Sequence, residues 1–172
     1  QEISKYTPQT LYSRRTNTLL DSPYKNMSLQ HQFYSTLYKF RERLNIDFDK
    51  VKVFSIVRNP YDKVISALFW KSLIKKNFTS EQVCNIIKNK YLYANNLDNH
   101  NEPQYKFLTD ENGELIKNIK IFKTETLNES NNELNQFLGF NVKIKQNNVN
   151  KNYDKYLNKE SISLINKFYK KD

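Results

Sequence analysis

One segment near the middle of the chain constrains the fold more than any other feature, because a strand pattern, a proline and a helix pattern follow one another directly. Residues 51–57 are short, apolar and rich in β-branched side chains, which is typical of a buried strand in a parallel sheet. Pro60 cannot continue a central strand but suits the first position of a helix, and apolar residues from Val64 onward recur at helical spacing. The segment therefore predicts strand, tight turn and helix, with Arg58 at the carboxyl end of the strand and Ser66 in the first turns of the helix.

The remaining patterns predict several helices and one further strand. Residues 119–123 predict a second buried strand that ends at Thr124-Glu125. Four helices are predicted elsewhere: from a Ser28 N-cap through Leu44, from a Thr79–Gln82 capping box to about Tyr91, over about 128–138 with Gly139 as the stop, and after an Asn158 cap. Because parallel sheets normally have more than two strands, we expect part of the sheet to be absent from this sequence rather than hidden in residues 1–27. We expect one α/β domain over residues 1–172.

The net charge and the cysteine and histidine counts restrict which ligands and metal sites the chain can have. The formal net charge of +10 favours anionic partners such as nucleotides, sulfated glycans, nucleic acid or an acidic membrane face, although the lysines are scattered rather than collected in one block. Cys84 is the only cysteine, which excludes an intramolecular disulfide and a cysteine-based zinc site, and two histidines argue against a histidine-rich metal centre. No apolar run approaches the length of a membrane span. We therefore expect an anion-binding protein with no metal site and no span in this sequence.

The turn after the first strand has the chemistry of a phosphate site. A helix N-terminus presents N–H groups and the positive end of the helix dipole, Arg58 offers a planar pair of donors, and Ser66 offers a hydroxyl. Residues 54–67 resemble the 3′-phosphate-binding segment of sulfotransferases that use 3′-phosphoadenosine-5′-phosphosulfate (PAPS). That family shows an apolar strand, Arg-Asx-Pro, an aromatic residue, an acidic–basic pair, two apolar residues and Ser; here Lys63 stands where Arg is usual. The resemblance implies that Arg58 and Ser66 bind the 3′-phosphate of PAPS.

Weaker similarities extend over residues 28–172 and keep the order seen in the carbohydrate-sulfotransferase branch of that family. His31 stands where many members carry a histidine ahead of the Arg-Asn-Pro strand, and the resemblance implies that it is the general base for the acceptor hydroxyl. Gln104, in a Pro-Gln segment of the family, and the basic pair Arg14-Arg15 are assigned to substrate binding. The fold implied is the P-loop-NTPase-like sulfotransferase fold, in which helices flank a central parallel sheet.

Two departures from the family pattern stand out. The family's Pro-Lys-x-Gly-x-Thr-like turn, which holds the 5′-phosphosulfate, has no counterpart here, because no glycine precedes Gly113. We therefore expect the N-terminal strand and its donor loop to lie outside this sequence. Asn148 stands at a loop position where the family commonly has histidine.

We expect several other residues to have structural roles and not to bind a ligand. Asn59 is expected to set the turn, and Phe69 and Trp70 are expected to pack in the core rather than stack on adenine. Glu125 is expected to be a buried structural carboxylate at a strand end. His100, in an Asn-rich loop, is expected to be solvated.

The resemblance implies transfer of a sulfuryl group from PAPS to a hydroxyl acceptor, on a carbohydrate, by in-line displacement without a metal. Two alternatives stay open: a catalytically degenerate module that binds a nucleotide or a sulfated glycan, and a basic nucleic-acid-binding protein, although nucleic acid is not the partner we expect. The expected localisation is the Golgi lumen for a eukaryotic member whose anchor lies outside this sequence, and the cytoplasm otherwise. The sequence does not identify the acceptor.

Overall fold

The computed structural model describes residues 31–94, 99–144 and 153–172, which belong to two compact units. Unit A contains residues up to Val51 and residues 95–117, and unit B contains the rest of the chain. Some predicted features lie outside the described residues: the Ser28 cap, Arg14, Arg15 and Asn148.

Unit B is built on a parallel pair of strands, as the sequence predicts. Strand β1 (Phe54–Val57) pairs with strand β2 (Lys120–Lys123), and the register places Phe54 opposite Lys120 and Val57 opposite Lys123. Together with the helices around it, this pair makes the described part of the chain a mixed α/β structure.

Six α-helices are present among the described residues. In unit A these are α1 (Tyr34–Lys39) and α4 (Tyr105–Leu108), and in unit B they are α2 (Pro60–Trp70), α3 (Ser80–Ile86), α5 (Asn131–Leu138) and α6 (Lys159–Phe168). A π-helical turn (Ile87–Tyr91) continues α3, and two 3₁₀ turns (Thr124–Thr126 and Asp154–Tyr156) follow β2 and precede α6. In this part of the chain no helix is both long and apolar enough to cross a bilayer.

The helix ends of unit B follow the signals in the sequence. Thr79 and Gln82 form the predicted capping box of α3, and the Asn158 side chain accepts the Ser161 N–H at 2.9 Å to start α6. Gly139 ends α5 in the left-handed conformation, with φ of 82°, which glycine adopts without the steric cost of a Cβ. Local chemistry therefore fixes these boundaries.

The first helix is shorter than its apolar spacing predicts. Helix α1 ends at Lys39 and residues 40–45 form successive turns, although Phe40 and Leu44 are both buried. The three- and four-residue spacing thus reflects which side chains are buried and not one continuous helix. His31 consequently precedes the α-helix instead of lying in its first turn.

The core of unit B lies between its helices, and its sheet is only partly covered. Val64, Ile65 and Leu68 of α2 are fully buried, as predicted. In contrast, Phe54 is 40% exposed and Ile56 is 45% exposed, so the prediction of a fully buried strand is wrong. The physical reason is that the described residues supply no third strand to this sheet.

Of the aromatic pair at the end of α2, Trp70 differs from the prediction. Trp70 is 67% exposed, and its ring lies 5.1 Å from the Lys71 ammonium. Phe69 is half-buried and packs edge-on against the Tyr156 ring, with centroids 5.2 Å apart. Trp70 is therefore not a core residue, because it stands on the last turn of α2 on the side away from the buried stripe.

Tyr91 is the largest fully buried side chain in the described residues and packs at the end of the π-helical turn. Burial raises the pKa of its phenol from 10.0 to about 12, and a hydrogen bond with the Tyr169 side chain acts in the opposite direction. The folded state therefore keeps this proton over a pH range in which the unfolded chain releases it.

This difference predicts a specific alkaline sensitivity. The stability contributed by the neutral phenol is fully present below pH 10 and is lost as the pH rises towards 12. At pH 11 the loss is about 1.4 kcal/mol. In urea unfolding at pH 8 and pH 11, the free energy of unfolding of Tyr91→Phe should fall about 1.4 kcal/mol less than that of the wild type. Tyr93→Phe is the matched control, since Tyr93 is exposed. An identical pH dependence in Tyr91→Phe and wild type would contradict the assignment.

Candidate anion-binding site

The turn between β1 and α2 is set by Asn59 and Pro60, as the sequence predicts. Asn59 is the N-cap of α2, and its side-chain oxygen accepts the Tyr61 N–H at 3.0 Å. The Asn59 carbonyl accepts the Lys63 N–H at 2.9 Å, and Pro60 occupies the first helical position, where no N–H is needed. The protein's own groups therefore satisfy much of this helix start.

A carboxylate from the neighbouring strand also reaches this turn. Glu125 lies in the 3₁₀ turn directly after β2, and its Oε1 accepts the Asn59 N–H at 2.5 Å. The Thr124 hydroxyl makes a second link by donating to the Val57 carbonyl at 3.0 Å. Glu125 thus has the predicted structural place at a strand end, but the prediction that it is buried is wrong. It stays exposed because it lies past the end of the strand, at the edge of the sheet.

Arg58 is half-buried at the carboxyl end of β1. Its Nη2 donates to the Tyr153 hydroxyl at 3.4 Å, and its guanidinium carbon lies 5.6 Å from the centre of the Tyr153 ring. Tyr153 is itself buried. This tyrosine orients the arginine, yet no motif or spacing in the sequence connects two residues 95 positions apart.

Asp62 feels charges of both signs from neighbouring side chains. Burial raises the pKa of Asp62 above its ordinary value; the positive charge of Arg58 opposes this rise, whereas the negative charges of Glu125 and Asp154 add to it. The field at this edge of unit B is therefore mixed, although the whole chain carries a net charge of +10.

Ser66 lies in the middle of α2 and is half-buried. It follows Asp62 by one helical turn, so the two share a face of the helix. The structure thus places Ser66 on the helix that begins two residues after Arg58, in the same unit.

The remaining predicted site residues belong to unit A. His31 is half-buried, and its backbone carbonyl accepts the Asn99 side-chain N–H at 2.8 Å. Its ring meets the His100 ring edge-on, with centroids 4.5 Å apart and an angle of 75° between the planes. The prediction that His100 is solvated is thus wrong, because His100 is half-buried against the other histidine. Gln104 is half-buried at the start of α4, where its side chain makes no capping bond.

A cleft of about 280 Å³ opens beside the first turn of α2 in unit B. It is lined by Pro60, Tyr61, Ile165, Asn166, Tyr169 and Lys170. The Tyr61 hydroxyl is hydrogen-bonded to the Asn166 side chain, which fixes one wall. Among the described residues of unit B, the two predicted donor-binding residues, Arg58 and Ser66, do not line this cleft.

Within the described ranges, no three His, Cys, Asp or Glu side chains are grouped so as to hold a metal ion. Comparison with known protein families, with curated proteins and with solved structures found no match to this chain. The function is therefore inferred from the geometry of the site and from the motif.

The structural role of Asn59 predicts a stability effect. Asn59→Ala removes the side-chain acceptor for the Tyr61 N–H and should lower the free energy of unfolding by about 1 kcal/mol, whereas Asn59→Ser keeps an acceptor and should lose only a few tenths. Urea unfolding of the two variants at pH 7 measures the difference. Equal stability of Asn59→Ala and wild type would show that the cap does not hold the turn.

Proposed function

We propose that this chain binds the 3′-phosphate of PAPS at the carboxyl edge of β1 and transfers the sulfuryl group to a hydroxyl on a carbohydrate. The observation that carries the proposal is the placement of Arg58 directly after β1, with the helix that bears Ser66 beginning two residues later. Ligands of open α/β sheets bind outside the carboxyl ends of parallel strands, and a basic side chain at this edge suits a phosphate.

The geometry of Arg58 supports this assignment. Tyr153 contacts the guanidinium through its hydroxyl and its ring, which reduces the number of conformations the arginine can adopt. A pre-oriented guanidinium binds a phosphate with less loss of side-chain entropy than a free one. Ser66, half-buried in α2, would add a neutral donor to the phosphate oxygens.

The nearby carboxylates repel a phosphate, and its attraction to Arg58 has to exceed that repulsion. Asp62, Glu125 and Asp154 all act on the same edge, so an incoming dianion meets repulsion as well as the attraction of Arg58. Two features reduce this repulsion: Glu125 is engaged by the Asn59 N–H, and burial makes Asp62 easier to protonate. We therefore expect moderate affinity that depends on salt.

In the proposed reaction, PAPS supplies an activated sulfuryl group. The acceptor oxygen forms a bond to sulfur, the bond from sulfur to the 5′-phosphate oxygen breaks, and the hydroxyl proton goes to His31 as base. Arg58 and Ser66 would hold the nucleotide, and Gln104 with Arg14 and Arg15 would contact the acceptor. No residue is assigned to the leaving 5′-phosphate, because the sequence has no counterpart of the family's donor loop.

Calorimetry with 3′,5′-adenosine diphosphate tests the donor site. Arg58→Gln should weaken binding by about 10- to 100-fold, since a charge-assisted hydrogen bond contributes about 1.5–3 kcal/mol. Arg43→Gln removes the same charge from an exposed residue of unit A and should leave the affinity unchanged within twofold. Adenosine 5′-monophosphate, which lacks the 3′-phosphate, should bind as weakly to wild type as the diphosphate binds to Arg58→Gln.

The outcomes separate the candidate functions. Binding that ignores the 3′-phosphate or survives Arg58→Gln would refute the donor site. Binding that requires both, without sulfuryl transfer from PAPS to a panel of glycans, would indicate the degenerate module. Affinity for unrelated nucleic acids that falls steeply with salt would instead favour the nucleic-acid-binding protein.

The repulsion between Asp62 and a phosphate bound at Arg58 predicts that removing the Asp62 charge raises the affinity. Asp62→Asn removes one negative charge near Arg58 and should tighten 3′,5′-adenosine diphosphate binding about fivefold at pH 7, which corresponds to about 1 kcal/mol of relieved repulsion. Glu111→Gln removes an equal charge from an exposed position in unit A and serves as the control. Unchanged or weaker binding in Asp62→Asn would show that Asp62 does not face the bound phosphate.

A further inference from the structure

We propose that His100 is a positioning residue for His31, holding the His31 imidazole with Nδ1 turned into the protein and Nε2 available to accept a proton. The inference rests on the proposed function in one respect, the role of His31 as a base. The arrangement of the two rings can be tested without it.

The two rings are brought together over a long stretch of sequence. These are the only histidines in the chain, and their ring centroids lie 4.5 Å apart in an edge-on arrangement. Asn99, directly before His100, donates its side-chain N–H to the His31 carbonyl at 2.8 Å. Two successive residues therefore contact His31, one at its backbone and one at its ring.

The backbone at this contact adopts a conformation that has a cost. Asn99 has φ of 60°, in the left-handed region, which asparagine enters more readily than most residues but less readily than glycine. The conformation lets residue 99 bond to the His31 carbonyl while residue 100 carries its ring to the same place. Such a local arrangement fixes both the position and the orientation of His31.

The burial of the His31 Nδ1 bears on which tautomer the imidazole adopts. Among the described residues the His31 Nδ1 is shielded from solvent and finds no hydrogen-bond partner. We therefore assign Nε2 as the ring nitrogen that meets an acceptor hydroxyl. A neutral imidazole carries its proton on one nitrogen only, and a base that works through Nε2 needs the proton on Nδ1. An N–H directed at the face of an aromatic ring makes a weak favourable contact, and the edge-on arrangement places the edge of one ring at the face of the other. We take the edge as that of His31.

Charged neighbours of the pair are already engaged with each other. Glu102, two residues after His100, forms an ion pair with Lys106 of α4 at 2.6 Å. At the His31 ring itself, the structure shows the edge-on contact with His100. The orientation of His31 is accordingly assigned to packing against a ring.

The test is the tautomeric state of His31, read from the ring ¹⁵N shifts of the full chain labelled at histidine and held at pH 8. The two histidines give two ring spin systems, and any His100 variant leaves His31 alone in the spectrum. In wild type we expect His31 to carry its proton on Nδ1. His100→Phe keeps an aromatic face and should keep that tautomer, whereas His100→Leu fills similar space without one and should shift at least half of the population to the Nε2–H form.

An Nε2–H tautomer in the wild type, or an Nδ1–H tautomer retained in His100→Leu, would overturn the proposal. Backbone amide spectra of unit A show whether each variant is folded, and if His100→Leu is not, His100→Ala takes its place with the same expected shift. Failure of the proposed function would be seen separately, as wild-type protein that neither binds 3′,5′-adenosine diphosphate nor transfers sulfuryl groups. That failure would leave the tautomer result intact.

Discussion

The parallel register of β1 and β2 is the constraint on which the rest of unit B depends. Because the strands run in the same direction and Val57 lies opposite Lys123, the residues that follow both strands emerge at one edge. Thr124 and Glu125 then bond across that edge to the Val57 carbonyl and the Asn59 N–H. These two bonds fix where the chain turns into α2, and so they determine where Arg58 lies. A change of register by one residue would separate all of these groups.

At the same edge, the structural role of Glu125 conflicts electrostatically with the proposed binding of a phosphate. Glu125 is needed as an acceptor for the Asn59 N–H, and it adds negative charge beside the arginine proposed to bind a phosphate. A helix N-terminus attracts negative charge, and here the Glu125 carboxylate of the protein already supplies some of it. A phosphate at Arg58 would therefore add to a site already partly neutralised. The affinity of this site depends on the balance among these charges, and the net charge of the whole chain says little about it.

Much of the fold could be predicted from the sequence where the signal is local. The capping box at Thr79, the Asn158 cap and the left-handed Gly139 each depend on a few neighbouring residues, and all appear as predicted. Burial was less predictable, because it depends on what covers an element: Ile56 and Trp70 have core-like sequence patterns, yet both are exposed. For the candidate site, the motif identified Arg58 and Ser66, but the partners that orient the predicted residues come from distant parts of the sequence.

Tyr153 and His100 illustrate that last difficulty in the same physical way. Each packs an aromatic ring against a residue proposed to act, and neither carries a charge or motif that marks it in the sequence. An arginine or an imidazole has several rotamers in solution, and its usefulness depends on how few remain in the folded protein. Ring contacts reduce that number and do not themselves use the hydrogen bonds that a ligand or a proton requires, although the Tyr153 hydroxyl also accepts one bond from Arg58. The proposed chemistry therefore depends as much on these two ring neighbours as on Arg58 and His31.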